Sequence, residues 1–174
     1  LDSINYSDFK DFGIYLYNES IVSDNVIEYF DDLDSIKDNS TTQAIFDSGI
    51  TNLVNAVYND NVLHSYEIHL LATTILFYRS SVKYWFDAAN NTSSPWYVEM
   101  SYFQNFEDYA LAKRPFGVAD FAFADAIGFS RQYALCAYEY CPDYKPPFKK
   151  TDCTVHCAEE AMIFGLYASI GDLF

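Results

Sequence analysis

One stretch of the sequence, from about Val62 to Ala89, constrains the fold most because its middle is apolar on every side of a helix. One seam of apolar side chains runs down the stretch, and further apolar residues lie off that seam. The seam comprises Leu63, Tyr66, Leu70, Phe77 and Tyr84, and the off-seam residues are Ile68, Leu71, Ile75 and Leu76. A helix with no polar face is buried among other helices. The stretch therefore predicts a central helix in an all-α fold.

The same stretch does not have the character of a membrane span. Its apolar run from Ile68 to Tyr78 is interrupted by His69, Thr73 and Thr74. A transmembrane helix needs about 20 consecutive apolar residues. We therefore expect no membrane span in this chain.

Apolar periodicity and terminal signals predict the remaining helices. The predicted segments are Asn25–Ile36 after a capping Ser23, a helix from Thr41 or Thr42 to about Tyr58, Trp96–Lys113, Phe116–Tyr140, and Thr154 to about Ile170. Ser94 followed by Pro95 marks the start of the third segment, because proline fits the first helical position. Together with the central helix, these segments predict an all-α, single-domain bundle of about five to seven helices over residues 1–174.

Two segments leave alternatives open. Residues 1–20 carry many aromatic side chains around Gly13, and they form either a short helix or an extended N-terminal arm. In the fourth segment, Ala119, Ala122 and Ala126 form a stripe of small residues, which predicts that another helix approaches closely. Because phenylalanines alternate with alanines near residue 121, a short strand is the competing interpretation.

The cysteines predict how the C-terminal part is held together. All four lie in the last quarter of the chain, at Cys136, Cys141, Cys153 and Cys157. An even number of cysteines in a secreted chain predicts disulfides, and four cysteines allow three pairings. Zinc is the alternative, with His156 as a further ligand, although zinc sites favour tighter C-x2-C spacings than these.

The sequence around the cysteines favours one pairing. A helix ending near Tyr140, a proline-rich loop and a second helix from Thr154 make an antiparallel hairpin over residues 121–170. Its spacing resembles that of small disulfide-stapled helical hairpins. Nested bridges would staple such a hairpin at two levels, and they are Cys136–Cys157 and Cys141–Cys153.

N-glycosylation sequons, in which Asn is followed two residues later by Ser or Thr, predict the compartment. They begin at Asn5, Asn18, Asn39, Asn90 and Asn91, which is more than chance provides in a chain of this composition. The last two overlap, so we expect one glycan there. Because the chain begins at Leu1 rather than Met, we also expect that a signal peptide was removed. Together with the cysteines, the sequons predict a secreted, extracellular glycoprotein.

The charge distribution excludes some partners. The formal net charge is −15, and residues 1–78 contain only two cations, Lys10 and Lys37. Nucleic acids and anionic membranes need a basic surface, so neither is an expected partner. Calcium at Asp31, Asp32 and Asp34 is an alternative to a solvated acidic helix face, although the segment lacks the glycine and terminal glutamate of an EF-hand loop.

The search for catalytic or metal-binding residues predicts a non-enzymatic protein with no cofactor and no metal site. His64 and His69 lie five residues apart and point to different sides of a helix, unlike the i, i+4 pair of a metalloprotease. Asp120 and Asp125 lie in an apolar stretch and share no face. We expect Asp125 to pair with a cation such as Arg131 or Arg79.

Aromatic residues make up 19% of the chain, more than a core of this size needs. Tyrosines suit interfaces because they bury a large apolar body while keeping one polar tip. The candidate interface residues at the hairpin tip are Tyr138, Tyr140, Tyr144 and Phe148. The favoured function is protein–protein contact, with another extracellular protein or with other copies in a self-assembling structural subunit. The alternative is a carrier that holds a small hydrophobic ligand in a cavity between helices.

Overall fold

The computed structural model describes residues 6–97, 118–140, 157–158 and 161–162. No strand occurs within these residues, and five helices have defined bounds. They are α1 (Phe9–Asn18), α2 (Asn25–Asn39), α3 (Gln43–Asn59), α4 (Ser65–Asn90) and α5 (Val118–Tyr140). The all-α prediction is confirmed, and the strand alternative near residue 121 is wrong because α5 is helical throughout. That the whole chain forms one domain stays a prediction.

The long α4 is the central helix, as the sequence predicted. It packs against α2, α3 and α5, and α1 packs on α2 and contacts α5. Leu71 and Ile75 are fully buried at its middle. Burial does not extend all the way round, because Leu76 is 42% exposed and Tyr84, on the predicted seam, is 50% exposed.

The α4–α5 contact uses the predicted stripe of small residues. Ala122 and Ala126 are fully buried, so that α5 lies close to α4. Beside them, the rings of Phe77 and Phe129 stack with centroids 4.4 Å apart. The close-approach prediction is confirmed for these two alanines, while the side chain of Ala119 lies outside the described residues.

Of the two N-cap predictions, the one for α3 is correct and the one for α2 is wrong. Thr42 Oγ1 accepts a hydrogen bond from the Ile45 N–H at 3.2 Å and thereby caps α3. Asp24, rather than Ser23, occupies the N-cap position of α2, and it makes no side-chain cap bond. The prediction for Ser23 is wrong because its buried hydroxyl makes no hydrogen bond and therefore caps no N–H group of α2. The backbone N–H of Ser23 instead donates to Glu67 Oε1 on α4 at 2.6 Å.

Residues 9–18 form a helix rather than an extended arm. Asp8 accepts a hydrogen bond from the Asp11 N–H at 2.8 Å and so begins α1. Phe9, Phe12 and Leu16 are fully buried on one face of this helix. Their burial against the rest of the bundle holds the N-terminal segment in place.

Some predicted helices fall partly or wholly outside the described residues. Ser94 Oγ accepts a hydrogen bond from the Trp96 N–H at 3.2 Å, as expected of a helix start, and the predicted helix beyond Tyr97 lies outside the description. Of the predicted C-terminal helix, residues 157–158 and 161–162 are described, and they are helical. None of the described helices has both the length and the hydropathy that crossing a bilayer requires.

Candidate functional site

The described sequons share one structural position, the C-terminal end of a helix. Asn18, Asn39 and Asn90 are the last residues of α1, α2 and α4, and Asn91 follows directly. All four asparagines are exposed, as are the hydroxyl residues of their sequons, Ser20, Thr41, Thr92 and Ser93. Asn5 lies outside the described residues. The accessibility that glycan attachment needs is therefore present at each described sequon, and the attachment itself stays a prediction.

The turn after α1 has an unusual residue at its centre. Ser20 has a φ of 60°, the left-handed conformation that glycine normally supplies after a helix. Its N–H bonds to the Tyr17 carbonyl at 2.9 Å, and the Ile21 N–H bonds to the Leu16 carbonyl at 2.9 Å. These two bonds make a Schellman motif with Ser20 in the glycine position. Replacing a non-glycine residue there with glycine removes a conformational penalty of about 1 kcal/mol.

The position at a helix end explains why asparagine occurs there, but it does not explain the Ser or Thr that completes each sequon. Asn39 Nδ2 donates to the Ser35 carbonyl and Asn90 Nδ2 donates to the Phe86 carbonyl, which satisfies one acceptor in each last turn. Asn59 makes the same bond to the Asn55 carbonyl at the end of α3, but Asn61 occupies the position where a sequon needs Ser or Thr. Terminal asparagines therefore have a structural role of their own, and it places no requirement on the residue two positions later.

A disulfide joins α5 to the C-terminal segment. Cys136 and Cys157 are bonded with their Cα atoms 5.5 Å apart, and both residues are buried. This confirms the outer of the two nested pairs. Cys141 and Cys153 lie outside the described residues, so the inner pair stays a prediction. In the zinc alternative both bonded sulfurs would be needed as thiolates, and the disulfide leaves neither of them available.

The candidate interface residues at the hairpin tip lie outside the described side chains. These are Tyr138, Tyr140, Tyr144 and Phe148. Other large apolar side chains are exposed, and most of those described belong to α3, α4 and their connection. This set, which we call the α3–α4 surface, comprises Ile45, Tyr58, Val62, Leu76 and Tyr84. It is spread along and around the two helices, since Ile45 and Tyr58 lie about 140° apart around the axis of α3. Sequence reasoning missed it, because the exposed apolar residues interrupt the pattern that defines the buried face.

A cleft of about 390 Å³ opens between α3 and α4 beside this surface. Its lining comprises Gln43, Phe46, Asp47, Leu76, Arg79, Ser80, Val82 and Lys83. Arg79 Nε lies 2.7 Å from Asp47 Oδ1, and Lys83 Nζ lies 2.7 Å from Asp87 Oδ2. A carrier for a hydrophobic ligand needs an enclosed cavity lined by apolar side chains. This cleft is open to solvent and is lined partly by ion pairs, so it is not such a cavity.

Asp125 is buried between α4 and α5 and makes no ion pair among the described residues. Its Oδ2 accepts hydrogen bonds from Trp85 Nε1 at 2.7 Å and from Ser81 Oγ. The predicted pairing with a cation is wrong, because Arg79 is bonded to Asp47 instead and Arg131 makes no bond to Asp125. Burial raises the pKa of Asp125 to about 6, against the lowering effect of its two hydrogen-bond donors.

The position of Asp125 limits its chemistry. Only 3% of the residue is exposed, so a substrate has no access to the carboxyl group. The environment that raises its pKa is typical of a catalytic acid, but the site lacks the opening that catalysis needs. The side chain of Asp120, the other candidate, lies outside the described residues.

Asp34 serves the fold rather than calcium. Its two oxygens accept hydrogen bonds from the Phe9 and Lys10 N–H groups at the start of α1, at 3.2 and 2.9 Å. Lys37 Nζ lies 3.0 Å from the same carboxylate. Burial raises the pKa of Asp34, although Lys37 and the two backbone donors oppose the rise. Asp31 is bonded to Lys10, so the acidic segment does not converge on a cation site.

The next candidates are the two histidines near the start of α4, whose contacts are those of helix capping and packing. The His64 N–H donates to Glu67 Oε2 at 2.8 Å, and the His64 ring stacks on Tyr66. Burial lowers the pKa of His69. Glu67, fully buried, is a residue whose role sequence reasoning missed, although its position three residues after His64 is that of a capping glutamate. Among the described residues, no three His, Cys, Asp or Glu side chains are placed to hold a metal ion.

Comparison of the chain with protein-family models, with curated proteins and with solved structures found no significant match.

Proposed function

We propose that this chain is an extracellular, N-glycosylated helical protein that acts through protein–protein contacts and carries out no catalysis. Its partner in this proposal is another copy of the chain, bound through the α3–α4 surface. N-linked glycans occupy the exposed helix ends, and no cofactor takes part.

The conformation of Ser20 is the observation that carries the glycosylation part of the proposal. Glycine would be more stable than serine in this left-handed position. Ser20 is also the hydroxyl residue that completes the sequon of Asn18. A requirement for a hydroxyl group at this position, for glycan transfer to Asn18, explains why a less stable residue is present.

The buried disulfide supports an extracellular location. Cys136 and Cys157 are bonded in the interior, and such structural disulfides persist in oxidising compartments. Asp125 supports the absence of catalysis. Its raised pKa is typical of a catalytic acid, but its carboxyl group is buried and a substrate cannot reach it.

The α3–α4 surface supports the contact part of the proposal. Tyr58 and Tyr84 are 58% and 50% exposed, and Leu76 is 42% exposed. No sequon lies between Asn39 and Asn90, so no glycan is attached along α3 or along α4 before its last residue. Interfaces are enriched in aromatic residues, and this surface carries two exposed tyrosines and no sequon.

The glycosylation proposal is tested by expressing the chain behind a secretory signal in eukaryotic cells. We expect the secreted wild type to lose mass when an N-glycan-removing amidase is added. Asn18→Gln and Ser20→Gly should each remove one glycan, while Ser20→Thr retains the sequon and should retain the glycan. Ser20→Gly should also raise the free energy of unfolding, measured on deglycosylated protein, by about 1 kcal/mol. A secreted wild type without glycans would refute the proposal.

The contact proposal is tested separately by sedimentation of the glycosylated protein. We expect concentration-dependent association that Leu76→Asp weakens strongly, because a charge is placed in the contact surface. Ile14→Asp is the matched control, since Ile14 is 39% exposed on α1, outside the proposed surface. A wild type that stays monomeric up to its solubility limit contradicts self-association, as does equal weakening by both variants.

A further inference from the structure

The α4–α5 interface contains two polar contacts of different kinds. Thr74 Oγ1 and Ser130 Oγ lie 2.7 Å apart, and each also lies within hydrogen-bond distance of a backbone carbonyl of its own helix. That contact is between neutral groups, and each hydroxyl has an acceptor for its proton. Asp125, further along the interface, has both of its hydrogen bonds at Oδ2, and its buried Oδ1 has no hydrogen-bond partner in the structure.

The charged groups around Asp125 do not neutralise it. On α4, Lys83 is bonded to Asp87 and Arg79 to Asp47. On α2, Lys37 is bonded to Asp34 and lies 5.5 Å above the ring of Phe123.

The remaining neighbours do not supply a counter-charge either. Arg131 on α5 has a buried Nε with no hydrogen-bond partner. On α1, the apolar Phe9 contacts the ring of Phe123. Among the described residues, Asp125 therefore has two donors on its own interface and no cation.

We propose that Asp125 makes the α4–α5 interface pH-sensitive: the interface tightens when the carboxyl group binds a proton on mild acidification and loosens when it ionises. An ionised carboxylate that is buried without a cation destabilises the state that buries it. The proton removes this charge while the neighbouring side chains stay in place. The inference does not depend on the proposed extracellular function.

The pH range of the effect follows from the direction of the shift. Burial raises the pKa of Asp125 from its ordinary value of 3.8 to about 6 in the folded protein. The folded state therefore binds more protons than the unfolded state between these two values. The resulting stabilisation is complete below the unfolded pKa and is lost as the pH rises through about 6.

The first test measures unfolding of the full chain in urea between pH 4 and pH 7.5 for the wild type and for Asp125→Asn. Other carboxylates also titrate in this range, so the difference between the two proteins isolates Asp125. Relative to the variant, the unfolding constant of the wild type should rise by about 50-fold from pH 4 to pH 7. Asp32→Asn is the matched control because Asp32 is exposed on α2, and it should follow the wild type. Parallel profiles for the wild type and Asp125→Asn would overturn the proposal.

A second measurement remains decisive if Asp125→Asn does not fold. The indole of Trp85 donates to Asp125, so its fluorescence reports the protonation of the carboxyl group. In a Trp96→Phe background, emission should titrate with a midpoint near 6. Adding Ser81→Ala should move the midpoint upward, because it removes a donor that favours the ionised form. Emission that is flat from pH 4 to pH 7.5, or a midpoint that Ser81→Ala leaves unchanged, contradicts the proposal.

Discussion

At the scale of single residues, Gly13 determines how closely α1 approaches α2. A Cβ atom at this position would lie 2.8 Å from Phe30 Cδ2 and 3.4 Å from the Cα atom of Ile27. Phe30 is fully buried and stacked near Phe9 and Phe12, so its ring has no room to move. The sequence shows a glycine within an aromatic segment, but only the packed structure gives the reason for it.

We predict that Gly13→Ala lowers the free energy of unfolding by about 1 kcal/mol. Overpacking a core costs about 1–3 kcal/mol, whereas alanine gains about 1 kcal/mol over glycine in a helix. Gly49→Ala is the matched control, because its neighbour Ile36 is only partly buried and can adjust. That variant should lie within about 0.5 kcal/mol of the wild type. Urea unfolding measures both, and a Gly13→Ala protein as stable as Gly49→Ala would contradict the packing argument.

At the scale of the element, α1 depends on a residue far away in sequence. Its first four N–H groups are satisfied by two aspartates, one local and one on α2. Asp34 accepts from Phe9 and Lys10, while the side chain and carbonyl of Asp8 accept from Asp11 and Phe12. A helix of 10 residues is marginal in isolation. Sequence analysis therefore left residues 1–20 as a helix or an arm, and the contact with α2 decided the outcome.

We predict that Asp34→Ala destabilises the protein by about 2 kcal/mol, since it leaves two N–H groups at a buried helix start without acceptors. Asp31→Ala is the control on the same helix, because Asp31 makes an exposed pair with Lys10. Exposed pairs contribute less than about 1 kcal/mol. Thermal unfolding together with hydrogen exchange of the α1 amides measures the effect. Equal losses for the two variants would contradict the capping role of Asp34.

At the scale of the whole molecule, the Cys136–Cys157 bond closes a loop across 21 residues. It ties the C-terminal segment to α5, which itself packs on the central α4. Cys157 and Ala161 are fully buried, so the C-terminal segment belongs to the same core. A cross-link of this kind stabilises a fold chiefly by restricting the unfolded chain.

We predict that the double variant Cys136→Ala, Cys157→Ala loses about 3 kcal/mol of unfolding free energy, the value expected for a loop of this length. Chemical denaturation under non-reducing conditions measures the loss. The single variant Ser130→Ala is a comparison on α5 that keeps the bridge and removes one buried hydroxyl contact. A double variant as stable as the wild type would show that the bridge adds nothing to the folded state.

The sequence by itself determined the class of fold and the main helices. Apolar periodicity identified α2, α3, α4 and α5, because burying one face of a helix requires a repeat that is visible locally. The sequence also predicted the N-cap residue Thr42, because a capping hydrogen bond joins residues within one helical turn. The pairing of Cys136 with Cys157 followed from the predicted antiparallel hairpin.

Only the tertiary structure decided where polar groups find their partners. Ser23 bonds to Glu67, Asp34 caps α1, and Asp125 meets Ser81 and Trp85 rather than an arginine. These partners lie 24 to 44 residues apart in sequence. Hydrogen bonding depends on distance and angle in space, and the local sequence pattern records neither.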